Sequence, residues 1–254
     1  MTPLISVITP SLNSGSYLEA AIRSVLAQDY RAFEHVVVDG GSTDATLDVL
    51  RRYPHVRWTS EPDGGQSEAM NKGFARASGD VVVYLNADDW FEPGAFEAVA
   101  AAIRTGATFV IGRINVAFEH GCTINDPKTA VRDMLRWWRP DAYCYNSAGY
   151  FYQRDVQAAV GPFNADDHLT MDFEFLIEAA RRFPFTKIPN VLATFRYIPG
   201  TKTFDTAAQS FELFRRFDKY LTLLEPAERD DYLRERAQAE EVSARKRAAQ
   251  AETR

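Results

Sequence analysis

The chain has 254 residues, 46% hydrophobic and 13% aromatic, enough apolar surface for a sizeable core, which excludes global disorder and leaves room for one or two domains. Its net charge of 29 − 35 = −6 argues against nucleic acid as a partner, because such binding rests on neutralising phosphates. The longest unbroken apolar run, residues 98–103, has six residues, whereas a spanning helix needs about 20.

The two cysteines, Cys122 and Cys144, belong to no C-x-x-C pair, which argues against a disulfide scaffold or thiolate zinc site. The first residues read as a strand rather than a targeting peptide, so the expected location is the cytoplasm.

Residues 4–9 (LISVIT) predict a buried strand. A helix follows with Ser16 as its expected cap and Leu18, Ile22, Val25 and Leu26 as its apolar face. Residues 35–39 (HVVVD) predict a strand, 42–53 a helix, 56–60 a short strand and 67–77 a helix. Residues 81–85 (VVVYL) predict a fourth strand and 93–104 a helix opened by its proline. Continuous apolar strands separated by helices predict an α/β fold, a mostly parallel central sheet with helices on both faces. After Gly112 the pattern changes. Residues 131–138 and 172–182 read as helices, 150–152 and 191–197 as extended, and 204–224 as one long amphipathic helix. The last 30 residues carry eight acidic and seven basic side chains and no broad apolar face. They read as a solvated helix or frayed tail, or else as a partner-binding helix.

In a parallel sheet, ligands bind beyond the carboxyl ends of the strands. Those ends carry Thr9, Pro10 and Asn13 after the first strand and Asp39 with its Gly-Gly-Ser-Thr-Asp turn after the second. Asp63 and Gln66 follow the third, and Asn86, Asp88 and Asp89 the fourth. Each end alone reads as a cap or turn; four on one edge make a pocket. No G-x-x-x-x-G-K-[ST] or G-x-G-x-x-G motif is present, so a phosphate ligand would need a cation. Asn-Ala-Asp-Asp at a strand end suits Mg²⁺ or Mn²⁺, which take one or two carboxylates plus the ligand's phosphate oxygens.

The segments Thr9-Pro10-Ser11-Leu12-Asn13, Val38-Asp39-Gly40-Gly41-Ser42-Thr43-Asp44-Ala45-Thr46, Glu61-Pro62-Asp63-Gly64-Gly65-Gln66, Asn71-Lys72-Gly73, Leu85-Asn86-Ala87-Asp88-Asp89-Trp90 and Met171-Asp172-Phe173-Glu174-Phe175-Leu176 together resemble a family 2 glycosyltransferase with the GT-A fold. They span roughly residues 4–200. The resemblance implies a single domain over 1–224, with a nucleotide-binding half to residue 112, an acceptor half from 113, and the charged tail outside it. It implies an inverting transferase that takes a nucleotide-sugar donor, a UDP-sugar, and a glycan or lipid-linked acceptor. Asp39 resembles the acid that accepts from uracil N3, and Thr9, Pro10 and Asn13 match the first nucleotide-binding loop. Asp63 and Gln66 match the segment closing over nucleotide and sugar. Asn86 and Asp88 match the ends of the D-x-D motif, with Asp88 resembling the metal ligand, and Asp89 matches a loop-supporting or sugar-contacting acid. Asp172 resembles the general base; read without the resemblance, it is an N-terminal helix cap.

Several residues depart from the family's pattern. Asn86 replaces the first D-x-D acid, Leu12 stands where an aromatic often stacks on the base, and Arg196 and Tyr145 lie near positions often held by histidine. Tyr143 and Tyr145 stand out from Trp137, Trp138, Tyr150, Phe151 and Tyr152 as acceptor-groove candidates, because they flank Cys144 in a loop; for the set as a whole, core packing is the simpler reading. Arg132, Arg136, Arg139 and Arg154 fit either a lipid diphosphate or peripheral membrane contact, or an ordinary solvated face. Two other functions share the fold. A sugar-nucleotide-forming nucleotidyltransferase would want a basic first loop, and residues 9–16 hold no Lys or Arg. A catalytically silent binding protein would have no use for Asp88 and Asp172.

Overall fold

In the computed structural model, which describes residues 2–197, 199–206 and 210–252, the strands are β1 (Ile5–Ser11), β2 (Phe33–Asp39), β3 (Val56–Ser60), β4 (Val81–Tyr84), β5 (Trp90–Phe91), β6 (Phe109–Phe118), β7 (Gly121–Asn125), β8 (Tyr150–Gln153) and β9 (Phe185–Arg196). They form one sheet in the order β3-β2-β1-β4-β8-β6-β9-β5, with β7 on β6. The first four strands are parallel, with Val7 opposite both His35 and Val83. Beyond them β8 runs antiparallel to β4 and β6, while β6 and β9 are parallel.

The helices of the first half are α1 (Leu18–Leu26), α2 (Thr46–Arg51), α3 (Gln66–Arg76) and α4 (Ala95–Arg104). α1 buries Leu18, Ile22 and Val25, as its periodicity requires. Its entry differs from expectation: Ser16 does not cap it, and the Ser14 carbonyl accepts from Tyr17 and Leu18 N–H instead. α2 is shorter than expected because residues 42–45 form a turn whose side chains bind neighbouring backbone. α3 lies on β1 and β2 through Gly73, where a Cβ would stand 2.2 Å from Ile8 Cγ2. Glycine in mid-helix costs about 1 kcal/mol relative to alanine, and here it permits the close approach.

In the second half α5 (Val131–Met134) stops short of residue 138, and α6 (Arg154–Val160) and α7 (Met171–Arg182) follow. β6 and β7 had no counterpart in the sequence reading; β6 runs through the change of pattern at Gly112, and β9 begins six residues ahead of the expected 191–197 strand. The expected long helix over 204–224 is instead α8 (Lys202–Thr206), α9 (Ser210–Phe214) and a 3₁₀ segment, Arg215–Leu223; the part of that expectation on residues 207–209 lies outside the described residues. The 3₁₀ segment buries Phe217, Tyr220 and Leu221.

The charged tail is helical as α10 (Pro226–Glu252), and its first turns dock. Tyr232 is 3% exposed and meets Trp138 at 5.1 Å between ring centroids. Glu235 pairs with Arg136 at 3.3 Å and Arg139 at 2.5 Å, and Glu228 with Arg132 at 3.8 Å. Arg154 lies 4.4 Å over the Phe74 ring and donates to the Phe74 carbonyl. All four of these arginines make contacts within the chain, while the Arg132 and Arg139 side chains stay largely exposed. Among the described residues no helix is long and apolar enough to cross a membrane.

Candidate active site

The loops leaving the carboxyl ends of β1, β3 and β4, with His168, Phe195 and residues 200–203, line a cavity of about 630 Å³; the loop after β2, expected in the same pocket, is not in its wall. Asn13 turns the first loop with φ of 49°, in the left-handed region that asparagine tolerates. Its N–H donates to Ser42 Oγ at 2.7 Å, and its Oδ1 accepts Thr43 N–H at 3.0 Å. Gly15 N–H donates to Asp44 Oδ2 at 2.9 Å. The first loop is thereby stitched to the second.

Pro10, Asn13, Asp63, Gln66, Asn86 and Asp88, all singled out in the sequence, line this cavity. Thr9, Asp39 and Asp89 do not. Thr9 is buried on β1 with its hydroxyl 2.9 Å from His35 Nε2. Asp39 is fully buried. Its carboxylate accepts from Ser42 N–H at 2.9 Å, from Ser60 Oγ at 2.7 Å and from Ser42 Oγ. It lies behind the wall and shapes the 40–44 turn. Asp89 is also buried and accepts from Asn86 Nδ2 at 3.0 Å, Asn146 Nδ2 at 2.7 Å and Arg196 N–H at 2.9 Å. Of its two expected roles, the contacts it makes are those of loop support.

Asn86 is held from both sides, because its Oδ1 accepts Gln66 Nε2 at 2.9 Å. No described side chain donates to the Asp88 carboxylate. Burial raises the proton affinity of Asp88, and burial followed by the charge of Asp88 raises that of Asp89. Nearby positive charge opposes this at Asp88 through Arg196, whose guanidinium sits 5.0 Å over Tyr17 and 5.7 Å over Trp90. Among the described residues no three His, Cys, Asp or Glu side chains cluster as a metal cage.

A second cavity of about 180 Å³ adjoins the first and shares Gln66, Asn86, His168, Phe195, Lys202 and Thr203 with it. Asp172, Tyr143 and Tyr145 line this second space. Asp172 is the second residue of α7 and accepts Phe173 N–H at 2.8 Å. Thr170 is the N-cap residue of α7 and makes no side-chain cap bond; Asp167 holds the turn before the helix, accepting from Leu169 and Thr170 N–H at 3.0 Å each. Burial, joined by the charge of Asp167, pushes the Asp172 carboxyl up to about 6, against the Phe173 N–H and Lys202. Tyr143 packs on Phe173 at 4.7 Å, and Tyr145 Oη accepts Asp141 N–H at 2.9 Å. Tyr150, Phe151 and Tyr152 are fully buried, so core packing holds for them.

The sequence reading missed His168, Lys202 and Asn146. His168 is seated by Gly65, whose φ is 123° and where a Cβ would lie 2.9 Å from His168 Nδ1. None of the three has a spacing signal, since each reaches the site from a loop or short helix distant in sequence.

The model for Glycosyl transferase family 2 matches residues 6–178. An uncharacterized glycosyltransferase of Mycobacterium tuberculosis is 32% identical over 181 residues, 70% of this chain and 69% of that protein. Among solved structures, S. aureus TarS 1–349 in complex with UDP-GlcNAc superposes with a TM-score of 0.69 at 19% identity, covering 93% of this chain and 72% of that one. The mannosyltransferase PcManGT of Pyrobaculum calidifontis, in complex with GDP-Man and Mn²⁺, gives 0.67 at 21% identity, covering 99% and 76%. Both likenesses are of fold, the GT-A fold expected from the sequence.

Proposed function

This chain belongs to glycosyl transferase family 2, and from that membership we propose that it is an inverting transferase moving a sugar from a UDP-sugar to a hydroxyl of a glycan or lipid-linked acceptor. The observation that carries the reading is the pair of joined cavities, with Asp88 on the wall of the larger and Asp172 on the wall of the smaller. The donor occupies the first and the acceptor hydroxyl the second. That hydroxyl gives its proton to Asp172 as its oxygen attacks the anomeric carbon, and the bond to the diphosphate breaks on the opposite side. A base whose proton affinity is centred near 6 is ionised at neutral pH yet strong enough to take the proton, help worth about 10²–10⁴-fold.

Asp88 and the Asn86 amide oxygen offer hard donors, and the desolvated Asp88 carboxylate, which no described side chain satisfies, fits a divalent cation. With one carboxylate, the rest of the shell falls to water and donor phosphate, the usual arrangement for Mg²⁺ or Mn²⁺. Such an ion would offset charge on the departing diphosphate. The solved relatives' complexes with UDP-GlcNAc and with GDP-Man and Mn²⁺ support a nucleotide-sugar donor and a metal. Asp39 serves the base by fixing its loop; its Oδ2 accepts from Gly41 N–H, Ser42 N–H and Ser60 Oγ, so acceptance from uracil N3 would fall to Oδ1, which accepts from Ser42 Oγ.

The test is a donor screen with Mn²⁺ present, reading thermal protection and nucleotide release for UDP-, GDP- and dTDP-sugars. UDP should protect more than GDP, and Asp39→Ala should remove the difference. Equal protection by both nucleotides would sink the uracil assignment.

A further inference from the structure

Lys202 opens α8 on the wall shared by both cavities, and its Nζ lies 3.2 Å from Gln66 Oε1. Gln66 continues to Asn86, Asn86 to Asp89, and Asp89 to Asn146. One polar chain thus runs from the loop after β4, beside Asp88, to the ammonium of Lys202. Lys202 also lines the smaller cavity, together with Asp172.

We propose that Lys202 is a positioning residue that couples the two cavities, its ammonium holding Gln66 on the donor side and facing the Asp172 carboxylate on the acceptor side. This rests on the function proposed above for its meaning in catalysis, but not for its test. The groups around Asp172 are mostly acidic or neutral. Asp167 precedes α7, Tyr143 and Cys144 come from the loop ahead of β8, and Tyr150 comes from β8 itself. His168 lines the same cavity and Arg216 pairs with Asp167 at 2.9 Å, and among the described residues Lys202 favours the ionised form of Asp172 against burial and Asp167. An opposite charge lining the same cavity favours the ionised carboxylate, so Lys202 keeps the base deprotonated and ready. A diphosphate entering the larger cavity competes for the same ammonium. As that charge is drawn toward the donor, Asp172 holds a proton more tightly and becomes a stronger base when a donor is present to be attacked.

The decisive measurement is the titration of the Asp172 carboxyl by carbon NMR in the full chain, its signal assigned by its loss in Asp172→Asn. Lys202→Met should raise the Asp172 midpoint by about half a unit or more, and Lys202→Arg should leave it near the wild-type value. The same Lys202→Met protein should bind UDP about two- to fivefold more weakly by calorimetry, the range for one partly exposed charge contact. An Asp172 midpoint unmoved in Lys202→Met overturns the coupling, as does a shift that Lys202→Arg fails to reverse. Wild-type protein that does not bind UDP counts against the proposed donor, and the NMR titration then decides Lys202 by itself.

Discussion

Asn86 donates to Asp89 at 3.0 Å, so the residue standing in place of an acid stabilises the carboxylate three positions on. With Asp88 between them, an acid at 86 would add a third negative charge to a buried loop.

Asn86→Asp should therefore lower the melting temperature in metal-free buffer, since a donor to a buried carboxylate becomes a like charge; a hydrogen bond to a charged group is worth about 1.5–3 kcal/mol. Mn²⁺ should recover more of that loss than it adds to the wild type, and Asp88→Ala should show little response to Mn²⁺. A melting temperature that neither falls nor responds to Mn²⁺ in Asn86→Asp would refute this account of the loop.

Asp172→Asn keeps the size of the side chain and its acceptance from Phe173 N–H, but cannot take a proton. Turnover should fall by about 10²-fold or more while UDP binding stays near the wild-type value. Because the asparagine oxygen can still accept from Phe173 N–H, helix α7 should persist. Wild-type turnover in this variant, with any identified acceptor, would remove Asp172 as the base.

The pH dependences of rate and stability should run in opposite directions. The value of kcat/KM should climb as pH rises through about 6, where Asp172 of the free protein loses its proton, and then level. Asp172 has a folded-state proton affinity above its ordinary value of 3.8. The stability it contributes is fully present below 3.8 and is lost as pH rises through about 6. Asp172→Asn should thus melt at or above the wild-type temperature at pH 8, with the gap closing at pH 4. Melting curves at the two pH values check the sign, and a wider gap at pH 4 would contradict it.

Gly73→Ala sets helix propensity against space. Alanine gains about 1 kcal/mol within a helix, but its methyl would meet Ile8 Cγ2 at 2.2 Å, and overpacking costs about 1–3 kcal/mol. The clash should win, giving net destabilisation in urea titration. Ile8→Val in the same background should recover part of the loss if the contact is the cause.

The sequence by itself determined the parallel half of the sheet. Residues 4–9, 35–39 and 81–85 are apolar runs bounded by turn residues, and a strand covered on both faces leaves that mark without any knowledge of its neighbours. It also determined which loops meet at one edge, since parallel strands present all their carboxyl ends together. The family's short motifs singled out Asp88 and Asp172, which lie on the walls of two adjoining cavities. Only the tertiary structure decided which strand-end residues face the cavity. Asp39 and Thr9 are consumed by Ser42, Ser60 and His35 behind it, and one residue's step along a pleat separates a wall from a floor. The tertiary structure also decided how Arg136 and Arg139 are paired, because Glu235 meets both across nearly a hundred residues of chain. The same holds for Lys202, which meets Gln66 from 136 positions away. Helical and strand periodicities register burial against a core; a pairing between two polar side chains leaves no period in either segment and exists only once the fold has brought them together.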